Sequence, residues 1–177
     1  TDPSADVRMI NYVQAGQVAH FELIWPALCA DPVAFELPCS GRHHALNAVA
    51  GLLVAYHCGI DLDAMRAGLA RFSGVARRFQ SYEAVWQDKS IVMVDDYGHH
   101  PTEIHSTLST LREMYPNRRI VMLFQPHRYS RTHELFDEFV HVLRETDVLY
   151  IADIYPASEA PIPGITHHAL VSSVRRF

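Results

Sequence analysis

The residues best suited to chemistry lie in one short stretch, Asp95-Asp96-Tyr97-Gly98-His99-His100, directly after four apolar and mostly β-branched residues. Carboxylates and imidazoles transfer protons, bind metal ions or position polar substrates. The apolar run predicts a buried strand, and Pro101 suits the first turn of a following helix. Because ligands collect outside the carboxyl ends of strands in open parallel sheets, we take this polar loop as the centre of a site.

A second polar loop, His127-Arg128-Tyr129-Ser130-Arg131, follows the apolar residues 120–124. It places two guanidinium groups three residues apart beside an imidazole. Guanidinium binds a carboxylate or phosphate through two parallel hydrogen bonds, a geometry that lysine does not offer. The alternative is a pair of surface arginines held by acids of the next helix. The position of the loop at a strand end favours anion recognition.

The carboxylate and histidine loop has three interpretations: a two-metal hydrolase cluster, a general acid–base set, or a loop that positions nucleotide and substrate. A metal hydrolase needs further ligands from other strand ends, where the sequence offers only Asp153 and Glu159. Three adjacent His pairs bring metal binding to mind, but neighbouring residues point to different faces of a strand or helix. We therefore expect no metal site from these pairs. Neither of the glycine-rich phosphate-binding motifs, GxxxxGK[ST] and GxGxxG, is present.

Alternating strand and helix patterns from residue 90 onward must position these loops. They predict strands at 91–94, 119–124 and 148–154, with helices between them and another near Thr166. This β-α-β-α-β order predicts a three-stranded parallel sheet, whose polar loops then lie along one edge. The side chains expected to converge there are Asp96, Tyr97, His99, His127, Arg128 and Arg131.

The beginning of the chain follows a different plan. Alternating apolar residues predict an antiparallel meander with one buried face over residues 7–37. Two amphipathic helices follow, and Asp61 is the expected N-cap of the second. The change of pattern predicts a domain boundary that divides the chain into residues 1–73 and 74–177.

Composition limits the class of protein. The formal net charge of −5, with histidine neutral, argues against a nucleic-acid-binding protein or a protein that binds anionic membranes. No run of about 18 apolar residues and no signal-peptide pattern occurs, so a cytoplasmic location is expected. The cysteines Cys29, Cys39 and Cys58 have no CxxC spacing, which makes a disulfide framework or a zinc site unexpected.

Five motifs together resemble the Mur ligase family of peptidoglycan synthesis, in the family's order and spacing. They span residues 41–48, 74–79, 95–103, 124–132 and 155–162. The resemblance implies an α/β fold in which residues 74–177 form a truncated, Rossmann-like parallel-sheet domain that binds the amino acid. Residues 1–73 would be an antiparallel strand and helix segment from the end of the central ATP-binding domain.

The resemblance also implies the activity of the complete protein. It would be an ATP-dependent amide ligase that joins L-alanine to UDP-N-acetylmuramate through an acyl phosphate. The P-loop, the UDP-substrate domain and the ligands of Mg²⁺ would lie outside this chain, so the chain alone is expected to be inactive. The implied partners are these three small molecules, UDP-N-acetylmuramate, L-alanine and ATP, with no nucleic acid and no membrane.

Residue roles come from the same resemblance. The residues implied for L-alanine are Tyr97, His99, His127, Arg128 and Arg131, with the two arginines on its carboxylate. Those implied for ATP are His44 and Asn47 at adenine, Arg78 at the phosphates and Asp96 at the ribose. No catalytic residue and no metal ligand is assigned. The family usually has asparagine at the position of His44, so Asn47 takes more of the adenine contact.

Three alternatives remain at this point. A sister ligase would add another amino acid or a peptide to the same sugar, although the His-Arg-Tyr-Ser-Arg loop favours alanine. A metal-dependent phosphoesterase built on Asp95, Asp96, His99 and His100 would bind manganese or zinc tightly and act without ATP. If the chain is a catalytically silent nucleotide-binding module, replacing Arg128 leaves all the activity of the complete protein intact.

Overall fold

Alternating apolar residues build the first sheet of the structure, a computed structural model that describes residues 2–176. The strands β1 (Arg8–Ala15), β2 (Val18–Ile24) and β3 (Val33–Leu37) pair antiparallel in the order β1-β2-β3. Every second residue of β2 and β3 faces the core, where Phe21 stacks on Phe35 at 5.9 Å between ring centroids. The predicted antiparallel meander is confirmed.

Two helices cover this sheet and complete its core. Helix α1 (Arg42–His57) ends before Gly59, whose φ of +78° suits a helix terminus. In α2 (Leu62–Ala70), Asp61 accepts a hydrogen bond from the amide of Ala64 at 2.8 Å and is the N-cap that the sequence predicts. The buried residues of this core are Met9, Ala19, Phe21, Leu23, Trp25, Val33, Phe35, Leu37, Ala45, Leu52 and Met65.

The strands β4 (Gln80–Trp86) and β5 (Lys89–Asp95) form an antiparallel hairpin. Gln87 and Asp88 at its turn both have positive φ, as a type I′ turn requires. The sequence predicts β5 as a buried strand of a three-stranded parallel sheet, and this is wrong. Within residues 2–176 the strand pairs with β4 across a two-residue turn, which closes a much shorter loop than a parallel crossover, and the parallel ladder joins only β6 and β7. Met93 of β5 is 57% exposed, so the strand is not fully buried.

The second half contains α3 (Pro101–Met114), β6 (Val121–Phe124), α4 (Tyr129–Glu134), α5 (Phe136–Leu143), β7 (Val148–Ile151) and α6 (His167–Arg175). The strands β6 and β7 pair in parallel, with Val121 opposite Val148. The predicted parallel sheet is therefore present with two strands rather than three. A second core lies against it, formed by Ile104, Leu108, Phe124, Phe139, Val140, Val142, Leu143 and Leu170.

The chain divides into two compact units between Tyr97 and Gly98. Residues 74–97, which hold the β4–β5 hairpin, group with the first unit by their contacts. The domain boundary between residues 73 and 74 stays a prediction. None of the helices within residues 2–176 has the length and apolar character needed to cross a membrane.

Candidate functional site

The loops that follow β6 and β7 begin on the same side of the parallel sheet, at the carboxyl ends of the two strands, and this side is called the carboxyl edge of the sheet. His127 pairs with Tyr155 in a parallel bridge that continues the ladder beyond the two strands. The amide of Arg128 donates to the carbonyl oxygen of Tyr155, and the amide of Tyr155 donates to that of Pro126, both at 2.8 Å. For these two loops, the predicted location at one sheet edge is confirmed, since parallel strands end on the same side.

His127 is the centre of a cluster of polar and aromatic side chains at this edge. Its ring centroid lies 5.3 Å from that of Tyr155 and 6.1 Å from that of His99. Arg131 Nη1 donates to His127 Nδ1 at 3.4 Å and to the His127 carbonyl oxygen at 3.3 Å. The structure therefore brings together three residues predicted for the site, His99, His127 and Arg131.

The electrostatics of this cluster favour a neutral imidazole. Burial lowers the pKa of His127, and the positive charges of Arg131 and Arg128 lower it further. A neutral ring also fits the hydrogen bond from Arg131, because arginine only donates and Nδ1 must then accept. The positive charge of the cluster therefore resides on its arginines.

Arg128 occupies a backbone conformation that few residues other than glycine adopt. Its φ is +73°, and it stands immediately before the first residue of α4. Its amide is bonded to Tyr155, and its carbonyl oxygen accepts from the amide and hydroxyl of Thr132 at 3.2 and 2.8 Å. Arg131, which the sequence places in a loop, lies in α4 because the helix begins at Tyr129.

The start of helix α3 positions His99, the second histidine of this cluster. Its N-terminus is a capping box in which Glu103 Oε2 accepts the amides of His99 and His100 at 3.0 and 3.1 Å. The same oxygen lies 3.7 Å from His99 Nδ1. The carboxylate that begins the helix therefore also orients a side chain of the cluster.

Two residues that the sequence reasoning did not assign to the site belong to this edge. The ring of Tyr155 packs against that of His127 at a tilt of 31°, and Glu159 accepts hydrogen bonds from the amide of Ser130 at 2.9 Å and from its hydroxyl at 2.7 Å. Both follow β7, and Glu159 is 29 residues from Ser130 along the chain. The motif at residues 155–162 is the sequence feature that could have pointed to Tyr155 and Glu159. Only the pairing of β6 with β7 shows which residues they contact.

A second set of predicted residues lies in the first unit. The amide of Tyr97 donates to the carbonyl oxygen of Arg77 at 2.6 Å, and the guanidinium carbons of Arg77 and Arg78 lie 4.7 and 5.9 Å from its ring centroid. Asp96 Oδ2 accepts the amide of Phe79 at 2.8 Å. These contacts hold a segment in which Arg77 and Phe79 both have positive φ.

Arg78 also lines a cavity of about 240 Å³ in this unit. The other lining residues are Gln17, Pro38, Cys39, Ser40, Ser73, Gly74, Val75, Ala76, Phe79, Gln80 and Ser81. His44 Nδ1 donates to the carbonyl oxygen of Ser40 at 2.8 Å, which leaves Nε2 as an acceptor in the neutral ring. Asn47 lies exposed on α1, three residues further on and on the same helix face.

The fit of these groups to a nucleotide and to a metal ion differs. A cavity with a cation, hydroxyls and backbone groups suits part of a nucleotide phosphate chain. Within residues 2–176, by contrast, no three His, Cys, Asp or Glu side chains lie together in an arrangement that holds a metal ion.

Fold and site together define an α/β domain that carries a cluster of histidine, arginine and tyrosine side chains at the carboxyl ends of its parallel strands. The family model described as "Mur ligase, glutamate ligase domain" matches residues 77–175. Since this is more than half of the chain, the chain belongs to the Mur ligase family.

Two curated relatives carry the name UDP-N-acetylmuramate--L-alanine ligase. The protein from Laribacter hongkongensis is 45% identical over 98% of this chain, and that from Hydrogenovibrio crunogenus is 43% identical over 97%. The chain spans only 38% and 37% of their lengths.

Solved structures share the fold. UDP-N-acetylmuramate-alanine ligase from Thermotoga maritima superposes with a TM-score of 0.76 at 23% identity, covering 99% of this chain and 36% of that one. Folylpolyglutamate synthetase from Lactobacillus casei has a TM-score of 0.58 at 16% identity, covering 90% and 37%. At these identities the likeness concerns the fold alone.

Proposed function

We propose that this chain is part of an ATP-dependent amide ligase that joins L-alanine to UDP-N-acetylmuramate in peptidoglycan synthesis. The observation that carries the proposal is the arginine pair, Arg128 and Arg131, beside a neutral His127 at the carboxyl edge of the parallel sheet. Support comes from the 45% identity to a relative of that name over 98% of this chain. ATP supplies the phosphoryl group that converts the sugar carboxylate into an acyl phosphate.

The amino-acid site is proposed at the edge of β6 and β7. Arg128 and Arg131 bind the carboxylate of L-alanine, for which planar guanidinium groups are suited. His127 and His99 shape the remainder of the pocket, and Tyr97 keeps the role that the resemblance implies. A neutral His127 adds no repulsion toward the ammonium form of the incoming amino acid, so it allows that form to enter beside the arginines.

The nucleotide site is proposed in the first unit. Arg78 faces the phosphates from the cavity, and Asp96, which also holds the amide of Phe79, contacts the ribose. Asn47 and His44 contact adenine. The bond from His44 Nδ1 to Ser40 leaves Nε2 able to accept from an exocyclic amino group, which supports a role for this histidine in place of asparagine.

The wider assignments are proposals as well. We place the domain boundary between residues 73 and 74, and the family match that begins at residue 77 supports it. Mg²⁺, the P-loop and the UDP-substrate domain belong to the remainder of the longer protein, consistent with the 38% coverage of a relative. A cytoplasmic location fits the substrates of such a ligase.

The test is phosphate release by the complete protein with ATP, magnesium and UDP-N-acetylmuramate, with L-alanine compared against glycine, L-serine and D-glutamate. Release should require L-alanine. Arg128→Ala should raise the KM for L-alanine about 30-fold or more, because losing one partner of a bound charge pair costs about 2 kcal/mol or more. Arg119→Ala removes an exposed arginine from the opposite end of β6 and should leave this KM unchanged.

Other outcomes would overturn the proposal in identifiable ways. A requirement for a different amino acid or a peptide would indicate a sister ligase. Phosphate release without ATP but with manganese or zinc would indicate a phosphoesterase. Full activity in Arg128→Ala would show that the arginine loop does not bind the amino acid.

A further inference from the structure

One carboxylate reaches the arginine-bearing turn from the end of the neighbouring strand. Glu159 follows β7 and uses both of its oxygens on Ser130, Oε2 on the amide and Oε1 on the hydroxyl. These two hydrogen bonds lower the pKa of Glu159, so the group is a carboxylate at neutral pH. The carboxylate therefore faces the turn at Ser130, and the backbone of Tyr129 lowers its pKa as well.

Helix α4 depends on this carboxylate for its first turn. The residue before the helix is Arg128, whose side chain makes no capping hydrogen bond. The first amides of a helix lack partners within the helix and need them from elsewhere. Glu159 supplies such a partner from a different loop, where a serine or aspartate in the cap position would ordinarily do so.

Ser130 stands between the two arginines of the proposed anion site. Arg128, on one side, is held at a φ of +73°, which costs free energy for a residue with a side chain. Arg131, on the other, is bonded to His127. A bond that holds Ser130 therefore constrains the backbone from which both arginine side chains extend.

We propose that Glu159 is a positioning residue for amino-acid binding: it holds the first turn of α4 so that Arg128 and Arg131 meet the substrate carboxylate in one geometry. It does not touch the substrate. The inference rests on the proposed function and deepens it. The carboxylate accepts both hydrogen bonds with its negative charge, whereas a glutamine pairs with Ser130 only through weaker neutral hydrogen bonds, because the hydroxyl must rotate to accept from the glutamine amino group.

The experiment uses the complete protein and the variant Glu159→Gln. We expect the KM for L-alanine to rise about ten-fold while kcat and the KM for ATP stay within about two-fold, since misdirected arginines weaken binding of this substrate alone. Ser130→Ala, which keeps the amide bond and loses the hydroxyl bond, should give a smaller rise. If Glu159→Gln does not fold, Ser130→Ala tests the proposal in its place.

The matched control is Asp147→Asn at the opposite edge of the same sheet. Asp147 Oδ2 likewise accepts a backbone amide, that of Ile120 at 2.7 Å, and also a hydrogen bond from Arg112 at 2.9 Å. If such a carboxylate affected the KM for L-alanine only through the general stability of the fold, Asp147→Asn should raise this KM as much as Glu159→Gln does. We expect Asp147→Asn to leave the KM for L-alanine unchanged.

A double variant separates positioning from general stability. If Glu159 acts through Arg128, Glu159→Gln adds little to the KM in an Arg128→Ala background, so the two effects are not additive. Additive effects, or an equal rise in KM for Asp147→Asn, would overturn the proposal. So would an unchanged KM for L-alanine in Glu159→Gln.

A failure of the proposed function can be told apart from a failure of this inference. Activity of the unaltered protein that does not require L-alanine would remove the function. The role of Glu159 is then decided by amide hydrogen exchange of residues 129–134, together with the KM for the amino acid actually used. Exchange that is no faster in Glu159→Gln than in Asp147→Asn would overturn the inference.

Discussion

At the scale of single residues, the polar groups of the site determine one another's charge and hydrogen bonding. His127 accepts from Arg131, and its pKa is lowered by burial and by the neighbouring arginines. The carboxylate of Glu159 is held by Ser130, and its pKa is lowered by that contact. Charge is thus assigned to particular groups by their neighbours, with cations at Arg128 and Arg131 and a neutral ring at His127.

His127 gives a prediction for pH. Its folded pKa lies below the ordinary 6.5, so as the pH falls through 6.5 the unfolded chain binds a proton before the folded chain does. The free energy of unfolding should therefore fall from pH 7.5 to pH 5.5 partly through this residue. In His127→Gln the fall should be smaller, as measured by urea denaturation of this chain at both pH values.

The comparison for this measurement is His133→Gln, which removes an exposed histidine of α4. We expect that variant to keep the part of the pH dependence that His127 contributes. An identical fall in stability for His127→Gln and the unaltered chain would contradict the pKa assignment.

At the scale of elements, the site depends on the first turns of two helices. Helix α3 begins with a capping box around Glu103, and α4 begins with a carboxylate supplied from beyond β7. Both supply acceptors for the unpaired amides at a helix start, one from within the helix and the other from a residue 29 positions away. In α3, Glu103 also contacts His99, a residue proposed for substrate binding. In α4, Glu159 holds Ser130, which adjoins Arg131.

The α3 cap yields a prediction for stability. Glu103→Ala removes the acceptor for the amides of His99 and His100, and should lower the free energy of unfolding by about 0.5–2 kcal/mol. Glu113→Ala, in the exposed last turn of the same helix, should have little effect or be slightly stabilising, since a negative charge opposes the helix dipole there. Urea denaturation at pH 7 measures both, and equal losses would argue against the cap.

At the scale of the whole molecule, residues 2–176 contain two hydrophobic cores that share no residue. One is built on the antiparallel sheet and its helices, the other on the parallel pair β6 and β7 with α3, α5 and α6. The chain spans 38% of the length of one curated relative. Each core must be stabilised by its own buried side chains.

The second core gives a prediction at this scale. Leu143 is fully buried, and Leu143→Ala should lower the free energy of unfolding by about 2–5 kcal/mol through lost burial and a residual cavity. Amide hydrogen exchange should increase in α3, α5, β6 and β7 more than in β1, β2 and β3. Leu123→Ala, at a position 77% exposed, should have a small effect, and equal changes in the two variants would contradict the described core.

The sequence by itself determined the local elements and the chemistry they carry. The alternation in β2 and β3, the cap at Asp61, the helix after Pro101 and the polar loops after β5 and β6 were all predicted from periodicity and residue type. These features follow from interactions within a few residues and from which face meets water. They are therefore visible in the chain without its fold.

Only the tertiary structure decided which segments pair and which distant groups meet. It paired β5 with β4 rather than with the parallel strands, began α4 at Tyr129 so that Arg131 is helical, and joined Glu159 to Ser130. Strand pairing is a competition between alternative partners whose loop-closure costs and buried surfaces belong to the whole chain. A hydrogen bond between residues 29 positions apart exists only once that competition has been settled.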